Sequence, residues 1–462
     1  MLLLLCGFAQ GQDHITRLVL ADTAPLLQHA DPQIRGEAAL VIARYADATQ
    51  QALLLAMANS DDVASRHRAR IALGLLGTPA AVQLLGDCLD DTGTRGEDDG
   101  TAAAFGLGLC PTATATTPTT RLLAAIAQGS WKRQRDTLLA LLLAMSLAPE
   151  RTETVALRRL FDDESNRDPQ VRGQLLQLLL TNDRTLDNKT LRKLLERGSE
   201  AERAVLLRWL ADEAPAMDAA WLALLEPLAR SAERGETRAL ALGVLTNARH
   251  LPSLELAERA LRHGTAIECE VALRAMLLIG GARLLRATTP LVLSESDPAR
   301  KAAMLASFAA PLPDELKDHC SKLAADAREP WSLRSEAALA LARGDGPRAA
   351  PLLRSVFATT PQTTDLMRLA RALRQPGAEP ISIARLLDDS DLRLHPAHWI
   401  ALLQAEHPEA QRQVLANLRL DRASPATLLT TLRVWRYARV LSVPTARCEA
   451  VPPMLQMLLA CP

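Results

Sequence analysis

The stretch "DPQIRGEAALVIARYAD", residues 31–47, sets an acid four residues before a base and then runs into an Ala/Leu/Ile/Val stripe. The phrase returns as "DDVASRHRARIALGLLG" from Asp61, "DPQVRGQLLQLLLTND" from Asp168, "DPARKAAMLASFAAP" from Asp297 and "PWSLRSEAALALARGDG" from Pro330. Anchored on the basic position, units fall at Arg35, Arg66, a weaker one near Ala102, Arg135, Arg172, Arg203, Arg238, Cys269 in an otherwise matching unit, Lys301, Arg334 and Arg368. The steps are 31, 36, 33, 37, 31, 35, 31, 32, 33 and 34 residues. A period held that long dictates a repeat architecture before any single motif is weighed.

Each period holds two helical patterns. After the anchor, apolar residues come three and four positions on and again at the next turn, as in Ala69, Ala72, Leu73 and Leu76 or Ala337, Ala338 and Leu341, which paints a stripe along a helix. Between anchors lies a shorter amphipathic run, such as "NKTLRKLLERG" or "LELAERALRHG". Gly77-Thr78-Pro79 and Gly344-Asp345-Gly346-Pro347 stop one helix and start the next. Hydrophobic residues make up 48% of the chain and aromatics 3%, with Ala and Leu carrying most of the apolar content. Small and unbranched side chains suit close helix contacts, whereas strands draw on β-branched and aromatic residues. The expected fold is all-α: an α-α superhelix of about twelve or thirteen stacked antiparallel helix pairs, each burying its apolar face on its neighbours.

These units resemble HEAT repeats and the short HEAT-like repeats of phycobilisome lyases. Asp31-Pro32-Gln33-Ile34-Arg35 with Ala38-Ala39 carries the resemblance, as do Asp62 to Arg66 with Ala72-Leu73-Gly74-Leu75-Leu76-Gly77, and Asp168-Pro169-Gln170-Val171-Arg172. It covers roughly residues 15–375 and fades beyond. It implies an armadillo-like helical protein-binding scaffold. Tetratricopeptide and ankyrin repeats lack their Tyr-containing and "TPLH" signatures here.

The composition excludes some classes. With 53 basic and 53 acidic residues the net charge is zero, so the basic excess that general nucleic-acid binding draws on is missing, and no nucleic acid is expected. No apolar run approaches the length of a membrane span. Seven scattered cysteines without a CxxC pair form neither a disulfide framework nor a zinc module. Residues 1–11, with Leu2 to Phe8 apolar and Ala9-Gln10-Gly11 shaped like a cleavage site, resemble a truncated signal peptide. The protein would be exported or periplasmic on that reading, and otherwise cytoplasmic.

The sequence divides into N-terminal repeats at 12–109, a Thr/Pro-rich connection at 110–121, central repeats at 122–375 and degenerate helical repeats with an apolar cap at 376–462. The segment "CLDDTGTRGEDDG", 88–100, is expected to be a solvated loop.

Candidate chemistry is sparse. Catalytic carboxylates occur once, at one place, whereas the acid and base here recur with the repeat. Asp31, Arg35, Asp62, Arg66, Arg135, Asp168, Arg172, Arg203, Arg238, Asp297, Lys301 and Arg334 are therefore read as a structural ladder, in which Asp caps a helix and Arg returns to it or reaches the next unit's acid. His395 and His398 share a helix face without a visible third ligand, and no P-loop, GxSxG, GxGxxG or HExxH pattern occurs. Neither catalysis, cofactor nor metal is expected. Trp131, Trp209 and Trp331 are candidates for partner contact, against a role in packing. Helix phase puts Glu37, Arg44, Arg70, Arg208 and Arg274 on an exposed inner face. The expected function is non-catalytic protein binding through a concave surface. A bilin-lyase-like accessory enzyme or chaperone and a HEAT-fold nucleic-acid binder are the alternatives.

Overall fold

The computed structural model describes residues 19–45, 48–90, 97–110, 119–120, 123, 135–147, 154–163, 168–182, 186–213, 217–230, 235–308, 312–342 and 345–357, with 425, 428, 429 and 432 near the end. Among these the secondary structure is all helical, with no strand. The fold is an all-α HEAT-like solenoid, with neighbouring helices packed consecutively within each of two compact units. One unit is Met1–Leu186 with Arg412–Pro462, and the other is Asp187–Gln411.

In the first unit the anchored phrases form α1 (Pro32–Arg44), α3 (Val63–Leu76), α5 (Glu97–Leu109), α6 (Arg135–Leu147) and α8 (Pro169–Asn182). Between them lie α2 (Gln51–Met57), α4 (Pro79–Asp90) and α7 (Thr154–Asp162). The anchored helices stack in order, α1 on α3, α3 on α5, α5 on α6 and α6 on α8. In the second unit the anchored helices are α10 (Glu200–Glu213), α12 (Gly235–Asn247), α14 (Ala266–Ser294), α15 (Pro298–Ala306) and α17 (Trp331–Ala342), again stacked in order. The intervening helices there are α9 (Asn188–Arg197), α11 (Ala219–Arg230), α13 (Ser253–His263), α16 (Asp314–Ala325) and α18 (Gly346–Phe357). The 29-residue α14 runs through the turn expected at mid-period and carries Pro290 inside it.

Helix starts follow from the recurring acid. Asp31, Asp62 and Asp297 stand at N-caps in extended conformation and accept from the N–H groups of Gln33, Ser65, and Ala299 with Arg300. Each supplies an acceptor for N–H groups that have no partner inside the helix. Gly77, with φ 63°, closes α3 in the left-handed region and donates its N–H to the Leu73 carbonyl at 3.0 Å. A side chain there would meet the carbonyl of its own residue.

Small residues set the spacing of the stack. A Cβ on Gly74 would lie 2.0 Å from the Gly106 carbonyl oxygen, and one on Gly106 would lie 2.6 Å from that of Arg70. The backbones of α3 and α5 therefore touch directly, which explains why the composition favours Ala and Gly over aromatics. The anchored helices α1 and α17 are buried on nearly every side, from Gly36 to Ala43 and from Leu333 to Ala342. Intervening helices bury one stripe, such as Leu191 and Leu195 in α9 or Trp221 and Leu225 in α11.

Candidate functional site

The ladder has a specific geometry. Arg35 donates from Nη1 to the carbonyls of His29 and Ala30 at 2.8 and 2.9 Å, and its Nη2 lies 3.6 Å from Asp62 of the following unit. Arg66 repeats this, with Nη1 on the carbonyls of Ser60 and Asp61 and Nε on Asp99 Oδ1 at 2.9 Å. Arg135 Nε donates to Asp168 at 2.6 Å, and Arg238 holds Glu268 through Nε at 2.6 Å and Nη2 at 3.1 Å. Arg172, Arg203 and Arg334 donate to the carbonyls of Phe161, Glu196 and Ala324, in the last turns of the helices that precede them. Arg172 also lies over the Phe161 ring, 4.7 Å from its centre.

One guanidinium thus serves two helix ends. Arg35 and Arg66 do this in full, satisfying carbonyls just beyond the preceding helix and pairing with an acid at the positive start of the next anchored helix, while Arg135 and Arg238 hold the acid and Arg172, Arg203 and Arg334 hold the carbonyls. The acid occupies one of two places. Asp62 and Asp168 precede the first turn, whereas Asp99 and Glu268 are the third residues of α5 and α14. Glu268 also completes a capping box with Thr265. Burial pushes the carboxyls of Asp62, Asp99, Asp168 and Glu268 up. Hydrogen bonds and guanidinium charges around them outweigh it, so all four ionise below their ordinary range.

Asp99 lies inside the segment expected to be a solvated loop. The structure corrects that reading, because residues 97–100 are the first turn of α5 and Asp99 is buried. Its Oδ1 receives Arg66 at 2.9 Å and His67 Nε2 at 2.8 Å, with Arg70 Nη1 at 3.4 Å. Burial lowers the His67 pKa, and the Asp99 carboxylate opposes that shift without cancelling it. The neutral imidazole carrying its proton on Nε2 is the form that donates to Asp99.

Cys269 stands where an anchor Arg is expected. Its Sγ lies 3.5 Å from the Ala260 carbonyl, and burial pushes the thiol up to about 11. The carbonyls of Leu261, Arg262 and Gly264 are reached by Arg300, from the next unit. Lys301, placed in the ladder from sequence, faces His319 instead, with Nζ 3.4 Å from Nε2. The neighbouring Arg300 has taken over the carbonyl-capping work.

Two residues expected on an open face are buried. Glu37 is 0% exposed and Arg70 1%, the latter held by the carbonyls of Ala58 and Asp99. For these two the expected exposure is overturned, because helix phase does not show what covers a face. In the second unit the same face is open: Val205, Leu240 and Val271, each two residues after an anchor, are half-buried, and Arg208 and Arg274 are exposed. Arg208 pairs with Glu236 across α10 and α12. Ile267 and Leu278, 55% and 52% exposed, extend the face along α14. Trp209 is half-buried in α10, while Trp331 donates Nε1–H to the Val356 carbonyl at 3.0 Å and so ties α17 to α18. Trp131, Arg368 and the histidines at 395 and 398 lie outside the described residues.

Stacked helix pairs joined by a periodic Arg ladder define a helical-repeat protein. Residues 21–98 match the family model for HEAT repeats. No curated protein matches the chain. HEAT repeats are in general protein-interaction scaffolds. Among the described residues, no helix is long and apolar enough to cross a membrane.

Proposed function

We propose that the protein is a non-catalytic scaffold that binds a protein partner on the open face of α10, α12 and α14. The observation that carries this reading is the half-exposed row Val205, Leu240 and Val271, continued by Leu278 and flanked by Arg208, Glu236 and Arg274. An apolar centre with a rim of both charge signs is how protein interfaces are built, whereas a nucleic-acid surface needs one sign. The face belongs to helices fixed by the ladder, so binding entails little reordering of the surface.

The test is recovery of partners from a lysate by the full chain and by Leu240→Glu/Leu278→Glu. The wild type is expected to retain a protein that the variant loses, while Val155→Glu, at an exposed position on α7, retains it. Equal recovery by all three, or recovery of nucleic acid alone, overturns the reading.

A further inference from the structure

On the open face of the second unit, the residues five after each anchor form a row across α10, α12 and α14: Arg208, Gly243 and Arg274. The fold does not require the middle one to be glycine. Gly36 and Gly108 sit at close approaches, where a Cβ would lie 2.4 Å from Arg68 Cδ and 2.5 Å from Ala144 Cβ. A Cβ on Gly243 would meet nothing nearer than Val271 Cγ1 at 3.7 Å, and among the described glycines only Gly77 has the positive φ that favours glycine. Glycine inside a helix is less stable than alanine, so α12 is weakened here without relieving a clash or backbone strain. The missing side chain leaves a notch in the face, bordered by Leu240 one turn back on α12 and by Val271 on α14. The two ends of the row differ. Arg208 pairs with Glu236 of α12. Arg274 is exposed, and among the described residues its guanidinium makes no hydrogen bond or ion pair.

We propose, building on the reading of this face as a partner-binding surface, that its occupant is an acidic amphipathic helix. A large apolar side chain of the partner fills the notch at Gly243, and a carboxylate three or four residues along the same helix pairs with Arg274. The exposed residues of α14, Ile267, Val271, Arg274 and Leu278, recur at steps of four, three and four, the stripe that one helix presents to another. Val271 touches the notch and Arg274 stands one turn beyond it, a separation of about 5–6 Å between Cβ atoms that matches one turn of the partner. A guanidinium takes a carboxylate through two parallel N–H···O bonds, and beside Leu240, Val271 and Leu278 that pair forms on a surface the partner dries, where it is stronger than in open water. A basic or neutral helix would cover Arg274 without a counter-charge. Arg274 thus selects the sign of the partner, and the notch sets its register.

The test is a selection, on the immobilised full chain, from a randomised display library of helical peptides of about 20 residues, roughly 30 Å long. Enriched peptides are expected to carry Asp or Glu three or four residues from a large apolar side chain and to lose binding to Leu240→Glu. Gly243→Leu should weaken them by about 10-fold or more while the denaturation midpoint stays at or above that of the wild type, which separates a filled notch from unfolding. Arg274→Glu, at an exposed position that the packing does not depend on, should weaken them by about as much, and a peptide with Lys in place of its acid should bind this variant again. Peptides that need Leu240 yet tolerate either Gly243→Leu or Arg274→Glu overturn the inference and leave the face as a docking surface. A library that yields no binder overturns the helical occupant alone. Peptides indifferent to Leu240→Glu place docking elsewhere and overturn both readings.

Discussion

Arg238 and Glu268 meet across the join of α12 and α14 as a two-pronged pair, with Nε 2.6 Å from one carboxylate oxygen and Nη2 3.1 Å from the other. The same carboxylate accepts the N–H of Thr265 at 2.8 Å, so one side chain closes a helix start and fastens it to the previous unit. Glu268→Ala should destabilise the chain by about 2–3 kcal/mol, the scale of hydrogen bonds to a charged group. Arg238→Ala in that background should add much less than it costs alone, which a double-mutant cycle in denaturant measures. The folded-state pKa of Glu268 lies below its ordinary 4.5. The stability it contributes is therefore complete above that value and lost as pH falls through the folded-state pKa, and Glu268→Gln should flatten this acid limb.

Asp99 is the acceptor for three side chains, Arg66, His67 and Arg70. Removing it as Asp99→Ala leaves cationic groups buried without their counter-charge and should cost about 3–5 kcal/mol. His67 adds a second pH dependence. Its folded-state pKa is depressed below 6.5, so in the window between the two values the unfolded chain binds more protons and stability rises with pH. The contribution is full above 6.5 and is lost as pH falls through the folded-state value. His67→Gln should remove that slope in thermal melts run across the window.

Glycine substitutions should have opposite signs at two places. Gly74→Ala drives a methyl into the Gly106 carbonyl, which lies 2.0 Å from where Cβ must go, and should cost about 3 kcal/mol or more as α3 and α5 are pushed apart. A Cβ on Gly243 meets nothing closer than Val271 at 3.7 Å. Gly243→Ala, inside α12, should stabilise by up to about 1 kcal/mol through helix propensity. Midpoints of chemical denaturation read both.

Cys269 should resist thiol reagents in the folded chain. It is fully buried and its pKa is raised to about 11, so almost no thiolate is present or reachable at neutral pH. In chains keeping one cysteine each, labelling at Cys269 should follow global unfolding, whereas half-buried Cys88 should react ahead of it. Prompt native-state labelling of Cys269 would contradict its placement under α13.

The repeat was legible because its period is written in residues that backbone geometry demands: an acid to cap, a base to follow, glycine and alanine where helices touch. Arg66 and Arg135 could be placed in the ladder from spacing alone. Their partners could not, because an Arg four residues after an Asp can return to it or reach the next acid equally well in sequence. Asp99 and Glu268 were missed because the acid sits three residues inside the phrase, hidden in one case by an acidic, glycine-rich stretch that looks like a loop. The visible signal was Thr265 with Glu268, the spacing of a capping box. Glu37 and Arg70 were misjudged for another reason. Periodicity gives the direction of a side chain but not what the neighbouring units lay against it: Arg68 lies beside Glu37, and Ala58 and Asp99 hold Arg70.

The two placements of the ladder acid decide which repeats are interchangeable. Asp62 and Asp168 meet their Arg from just before a helix, and Asp99 and Glu268 from its third residue, a difference of about 4.5 Å along the axis. A whole period could be duplicated or excised without retuning only between joins of the same kind. Across kinds, the backbone position of the acid shifts by that distance, and the guanidinium is met only where the side chain reaches back to the helix start, as Glu268 does to the Thr265 N–H. The array is thus spelled in two dialects, and its length is free to drift only within one of them.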